Sequence, residues 1–126
     1  MEKINVEYGK FLNQQKWDYF VTCRSDYTIG LTTPYIWSKR LLKAPQIDKL
    51  FFVGERDKGD VKSKHVHMLL DTSTCISSGL VKEYSGVAVG DFQKIYDKTY
   101  LCNYVAKFIG MKGIEYDLVF AAMEHQ

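Results

Sequence analysis

Three histidines occur in the chain, and two of them, His65 and His67, stand one residue apart in the run KHVHMLLD. The branched and apolar residues around them favour an extended strand, where residues two apart share a face. His65 and His67 then project side by side, with Val66, Met68 and Leu70 on the other face. Upstream, IDKLFFVGE (47–55) reads as a partner strand, and the charged loop that follows it closes an antiparallel hairpin. A register that sets Glu55 opposite His65 or His67 brings a carboxylate to the imidazole face. Two neutral imidazoles and a carboxylate suit a divalent cation and leave positions open for substrate oxygens and water. The residues alone leave the cation open. The same set describes a non-haem iron oxygenase, whereas phosphate chemistry would draw on magnesium or manganese.

A second reactive group lies in DKTYLCNYVAKFIG (97–110), framed as a helix by Asp97 as N-cap and Gly110 as C-terminal stop. Tyr100, Tyr104 and Lys107 fall at i, i+4 and i+7 on one stripe, beside an apolar stripe of Leu101, Val105 and Phe108 that docks the helix. The tyrosines and the lysine are then left at the edge of the contact, within reach of a groove holding the metal. A phenol with an ordinary pKa of about 10 costs roughly 4 kcal/mol to ionise at neutral pH, and a nearby cation offsets part of this. The combination suggests phosphoryl transfer to tyrosine. With nine tyrosines in the chain, a packed aromatic at Tyr104 is the competing account.

The elements that must position these groups are legible in outline. Ile4, Tyr8, Phe11 and Leu12 give residues 4–15 a helical apolar face, and KWDYFVTCR (16–24) alternates Trp17, Tyr19, Val21 and Cys23 as a strand. TTPYIWSKRLLK predicts a helix capped by Thr33, with Pro34 at its first position, running to about Lys43. Residues 76–84 read as a short helix, 86–92 as a strand and EYDLVFAA as a closing strand. After the first helix the order is β-α-β-β-α-β-α-β. It predicts an α+β fold with an antiparallel sheet of about five strands, on the split βαβ plan with helices over one face.

At 126 residues and 46% hydrophobic, the chain predicts a single domain, 1–126. A net charge of +2 permits a nucleic-acid partner without arguing for one. Three scattered cysteines predict thiols in a reducing compartment rather than a disulfide framework. No apolar run spans a bilayer and no signal-peptide core opens the chain, so a soluble intracellular protein with no membrane partner is expected.

Three patterns, in order, resemble the HUH endonuclease superfamily, the metal-dependent tyrosine nucleases of rolling-circle replication initiators, relaxases and single-tyrosine transposases. YFVTCR (19–24) is similar to the first-strand motif, HVH with upstream Glu55 to the metal motif, and YVAKFIG (104–110) to the Y-x-x-K helix motif. The resemblance implies the ferredoxin/RRM-like HUH nuclease fold. It implies Glu55, His65 and His67 as ligands of magnesium or manganese, Tyr104 as nucleophile and Lys107 as its assistant. The implied reaction is nicking of single-stranded DNA at a replication origin, through a 5′-phosphotyrosine link and a free 3′-hydroxyl that primes synthesis. Such a replication initiator (Rep) nuclease of a virus, phage or plasmid works in the cytoplasm of a prokaryotic host or the nucleus of a eukaryotic one. GERDKG (54–59) begins like a phosphate-binding loop, but Asp60 stands where its lysine should be, so the chain reads as either a minimal initiator or an excised domain, with a host or separate helicase as a candidate partner.

Phe108 departs from a paired-tyrosine pattern, which leaves Tyr100 as the candidate second tyrosine; Tyr104 leads because it stands three residues before a lysine. Glu55, and lysine rather than glutamine after Tyr104, favour an initiator over a transposase. A non-catalytic single-strand binding module would lack only the chemistry, and its RNP-like glycine-aromatic signature is missing. An iron oxygenase would bring a double-sheet barrel. Thr22 and Arg24 on the first strand, and Arg56, Lys58, Lys62 and Lys64 in the hairpin loop, are the expected DNA contacts, with Lys39, Arg40 and Lys43 as further candidates.

Overall fold

The computed structural model describes residues 3–25, 32–55, 65–111 and 114–121, and the side chains of Lys3 and Glu55 lie outside that description. The elements are α1 (Lys3–Asn13), β1 (Tyr19–Arg24), α2 (Thr33–Leu41), β2 (Ile47–Glu55), β3 (His65–Thr72), α3 (Ser78–Ser85), β4 (Ala88–Lys94), α4 (Lys98–Ala106) and β5 (Tyr116–Phe120). The strands form one five-stranded antiparallel sheet in the order β4-β1-β3-β2-β5. The run β1-α2-β2-β3-α3-β4 alone supplies the order 4-1-3-2 of a split βαβ unit, and β5 extends it beyond β2.

Successive strand residues feed two different cores. Tyr19, Val21, Leu50, Phe52, Val66, Met68 and Leu70 pack under α2 and α3, with Trp37, Leu41 and Val81. Phe20, Phe51, Val53 and Leu69 pack under α1 and α4, with Leu12, Leu101, Cys102 and Val105. Helices therefore cover both faces, not the one face the sequence reading expected. The cause lies in the central strands: YFVTC and LFFV are apolar at consecutive positions, so each face needs a cover. Each fully buried Val, Leu or Phe contributes about 1.5–3 kcal/mol. Trp17 precedes β1 instead of alternating within it. It belongs to the α1/α4 core and donates its indole N–H to the Leu12 carbonyl at 2.8 Å.

Helix ends follow local chemistry with small shifts. Asp97 caps α4 by accepting from the Tyr100 N–H at 3.0 Å. Ser77 caps α3 at Leu80, and Gly86, at φ +77°, ends it in the left-handed conformation. The N-cap of α2 is Thr32 rather than Thr33, and its side chain makes no capping bond; Pro34 lies in the first turn. α4 itself stops at Ala106, and Gly110, at φ +97°, closes the turn that follows. Among the described residues no helix is long and apolar enough to cross a membrane. All three cysteines are thiols, and burial pushes Cys23 up to about 12 and Cys102 up to about 11, which makes both poor nucleophiles.

At the end of β3 away from the histidines, the buried ammonium of Lys49 lies 2.8 Å from Asp71 Oδ2 and 4.6 Å from the Trp17 ring centroid. Lys16 holds the other Asp71 oxygen at 2.7 Å. Burial alone would raise the Asp71 pKa, but hydrogen bonds from Lys16 and Lys49 and their charge outweigh it and hold the carboxyl below its usual range. A depressed folded value stabilises the protein above the ordinary carboxylate pKa, and that contribution is lost as pH falls through the folded value. Asp71→Asn, which removes the carboxylate that Lys49 and Lys16 share, is expected to cost about 3 kcal/mol in urea unfolding at neutral pH, and much less once pH falls below the folded carboxyl value.

Candidate active site

Two cross-strand rows build the site. Arg24, His65 and Glu55 lie opposite one another across β1, β3 and β2, and Thr22, His67 and Val53 form the next row. Thr22 also faces Asp91 on β4. The register sets Glu55 opposite His65, one of the two pairings expected, although the Glu55 side chain lies outside the described residues. The histidine face is the one that α4 covers, and His67 is only 5% exposed while His65 is half-buried.

The His67 ring packs between aromatic neighbours, near-parallel to Phe20 at 5.4 Å and to Phe108 at 5.7 Å between centroids. Tyr104 meets it edge-on at 5.5 Å. Nδ1 lies 2.9 Å from the Thr22 hydroxyl in a buried hydrogen bond. When Nδ1–H donates to that hydroxyl, Nε2 becomes the acceptor nitrogen, the form in which imidazole ligates a metal. Thr22 thus sits behind a candidate ligand. Thr22→Val keeps the shape and removes the hydrogen bond, and is expected to weaken manganese binding by about 10–100-fold, read by calorimetric titration.

α4 delivers the second half of the site. Leu101, Cys102 and Val105 bury against the sheet, which leaves Tyr104 half-buried, Tyr100 exposed at 62% and Lys107 exposed. The Lys107 ammonium lies over the Tyr104 ring, 4.2 Å from its centroid, and 5.0 Å from that of Phe108. A cation over an aromatic face is worth about 0.5–2 kcal/mol, and phenolate formation, which spreads negative charge into the ring, strengthens the attraction. The Tyr100 ring lies near-parallel to Tyr104 with centroids 6.4 Å apart.

A cleft of about 290 Å³ opens here. Phe20, Thr22 and His67 form its floor, and Tyr100, Leu101 and Tyr104 its helical wall. Asp91 and Gln93 on β4 complete the lining. The sequence reading missed those two, because β4 alternates weakly and its register bulges between Thr22 and Cys23. That irregularity has a use. Gly90 lacks the side chain whose Cβ would lie 2.3 Å from Arg24 Nε, so the Arg24 side chain runs across the bulge.

The fold brings Thr22, His67, Tyr104 and Lys107 together, with His65 and Arg24 in the adjoining row. Tyr100 lies at the same cleft. Arg56, Lys58, Lys62 and Lys64 lie outside the described residues. Lys39 and Arg40 of α2, and Lys43 just beyond it, lie in the layer across the sheet from the cleft, which removes them from the site. Among the described residues no three His, Cys, Asp or Glu side chains gather as a metal site. Of the expected ligands, His65 and His67 share one face of β3 and the Glu55 backbone lies opposite His65, while the Glu55 side chain lies outside the described residues. No family model matches the chain, and no curated protein or solved structure matches it either.

Proposed function

We propose that the chain is a metal-dependent nuclease that nicks and rejoins single-stranded DNA through Tyr104, and so initiates rolling-circle replication. The observation that carries this reading is the meeting of His67 and Tyr104 at one cleft, 5.5 Å between ring centroids, with the Lys107 ammonium over the phenol ring. An imidazole able to hold a metal and a phenol at the same cleft give a ligand and a nucleophile within reach of one phosphate.

Glu55, His65 and His67 would hold magnesium or manganese, which when bound polarises a non-bridging phosphate oxygen as negative charge builds on phosphorus. The Tyr104 oxygen attacks the phosphorus and its proton passes to solvent, while Lys107 offsets part of the cost of the phenolate. The P–O3′ bond breaks, and the 3′ oxygen takes up a proton and leaves as a hydroxyl. The fragment on the 3′ side of the break stays on the enzyme through its 5′-phosphate as a phosphotyrosine, and attack by an incoming 3′-hydroxyl reverses the step and joins DNA. Thr22 holds the His67 ring in place. Origin DNA is then the partner, a helicase opens the duplex, and the compartment is that of the replicating DNA.

The test is incubation with end-labelled single-stranded oligonucleotides and manganese, followed by denaturing electrophoresis. A protein–DNA adduct that forms with manganese and disappears with EDTA is expected. DNA binding without any adduct across a library of sequences would overturn the reading in favour of a binding module.

A further inference from the structure

The cleft carries two polar side chains for which phosphoryl transfer has no use. Asp91 and Gln93 stand two residues apart on β4, opposite Thr22 and Phe20, and so share the face of the reacting groups. The Gln93 amide nitrogen donates to Asp91 Oδ2 at 3.1 Å, which ties the two together. A carboxylate offers about four acceptor sites, so one bond from Gln93 leaves room for further donors. The carboxylate favours a group that presents N–H donors.

The rest of the lining suits a flat ring. Phe20 floors the cleft, and Tyr100, 62% exposed, stands at its lip where a ring can stack on it. A volume of about 290 Å³ lies at the small end of ligand pockets, which run from about 300 to 1,000 Å³, and so fits one base rather than two.

We propose that this cleft is a base-selective subsite for the nucleobase beside the scissile phosphate, stacked on Tyr100 and chosen as guanine by Asp91. The subsite rests on the single-stranded DNA reading above. Guanine presents N1–H and N2–H side by side to the two carboxylate oxygens. Adenine and cytosine set a ring-nitrogen acceptor beside their amine, and thymine flanks its one N–H with two carbonyls, so each meets the carboxylate with a repulsive lone pair. The Gln93 amide keeps Asp91 turned to that edge.

The test is fluorescence anisotropy in EDTA, with labelled ten-residue oligothymidylates carrying a single central dG, dA, dC or dT. The dG probe is expected to bind roughly tenfold tighter than the others, the discrimination of one bidentate contact. Asp91→Asn, an isosteric change at an exposed position, should erase the preference. Tyr100→Ala should weaken all four probes by about tenfold through lost stacking. Equal wild-type affinity for the four, or a preference that survives Asp91→Asn, overturns the subsite. If the adduct assay succeeds and the base preference is absent, the subsite alone fails. A preference lost in Asp91→Asn with no adduct formed supports the subsite and sinks the nuclease.

Discussion

Tyr104→Phe is expected to lower covalent protein–DNA adduct formation by on the order of 10⁴-fold or more, because it deletes the attacking atom. The substitution keeps the ring. The Tyr104 ring contacts His67, Phe20 and Phe108 and lies beneath the Lys107 ammonium, and phenylalanine keeps all four contacts. Thermal unfolding of the variant should stay within about 1 kcal/mol of the parent, so a lost adduct reports chemistry and not collapse. The contrast with Tyr100 makes the result decisive. Tyr100 is the more exposed phenol and lies one turn earlier on the same cleft. Should Tyr100→Phe lose the adduct while Tyr104→Phe keeps it, the nucleophile is Tyr100. The cation over the Tyr104 ring would then serve packing alone.

Why the sequence exposes one half of this site and hides the other follows from the strength of local signals. The hairpin of β2 and β3 is dense in β-branched and aromatic residues with a charged loop between, so its existence could be read and its register narrowed to Glu55 opposite His65 or His67, of which the fold takes the first. The cap at Asp97 and the two stripes on α4 made the delivery of Tyr104 to the sheet edge readable as well. What alternation cannot reveal is which face a later helix will cover. His65 and His67 alternate with Val66 and Met68, and Phe20, Phe51 and Leu69 on their side of the sheet are what draw α1 and α4 over them. Asp91 and Gln93 were hidden for the opposite reason. β4 is an edge strand whose residues are exposed or half-buried, with a glycine bulge that breaks its period, and its position beside Thr22 is a tertiary fact.

The second large effect concerns His67. His67→Gln is expected to reduce manganese-dependent nicking by roughly a thousandfold, about 4 kcal/mol of transition-state stabilisation. Glutamine is chosen over alanine because His67 is only 5% exposed and wedged between Phe20 and Phe108, where truncation would open a cavity and confuse folding with function. The amide can still bond the Thr22 hydroxyl, but it offers a metal a weaker donor than imidazole. Excess metal separates this variant from its neighbour: saturating manganese should restore Thr22→Val, whose ligand is merely less well held, and should not restore His67→Gln. Anisotropy with single-stranded DNA in EDTA should change little in either variant, since neither removes a cationic contact. Nicking that persists at parental rate in His67→Gln would mean that the imidazole at the centre of the cleft is a packed ring, and that the cation, if there is one, is held elsewhere.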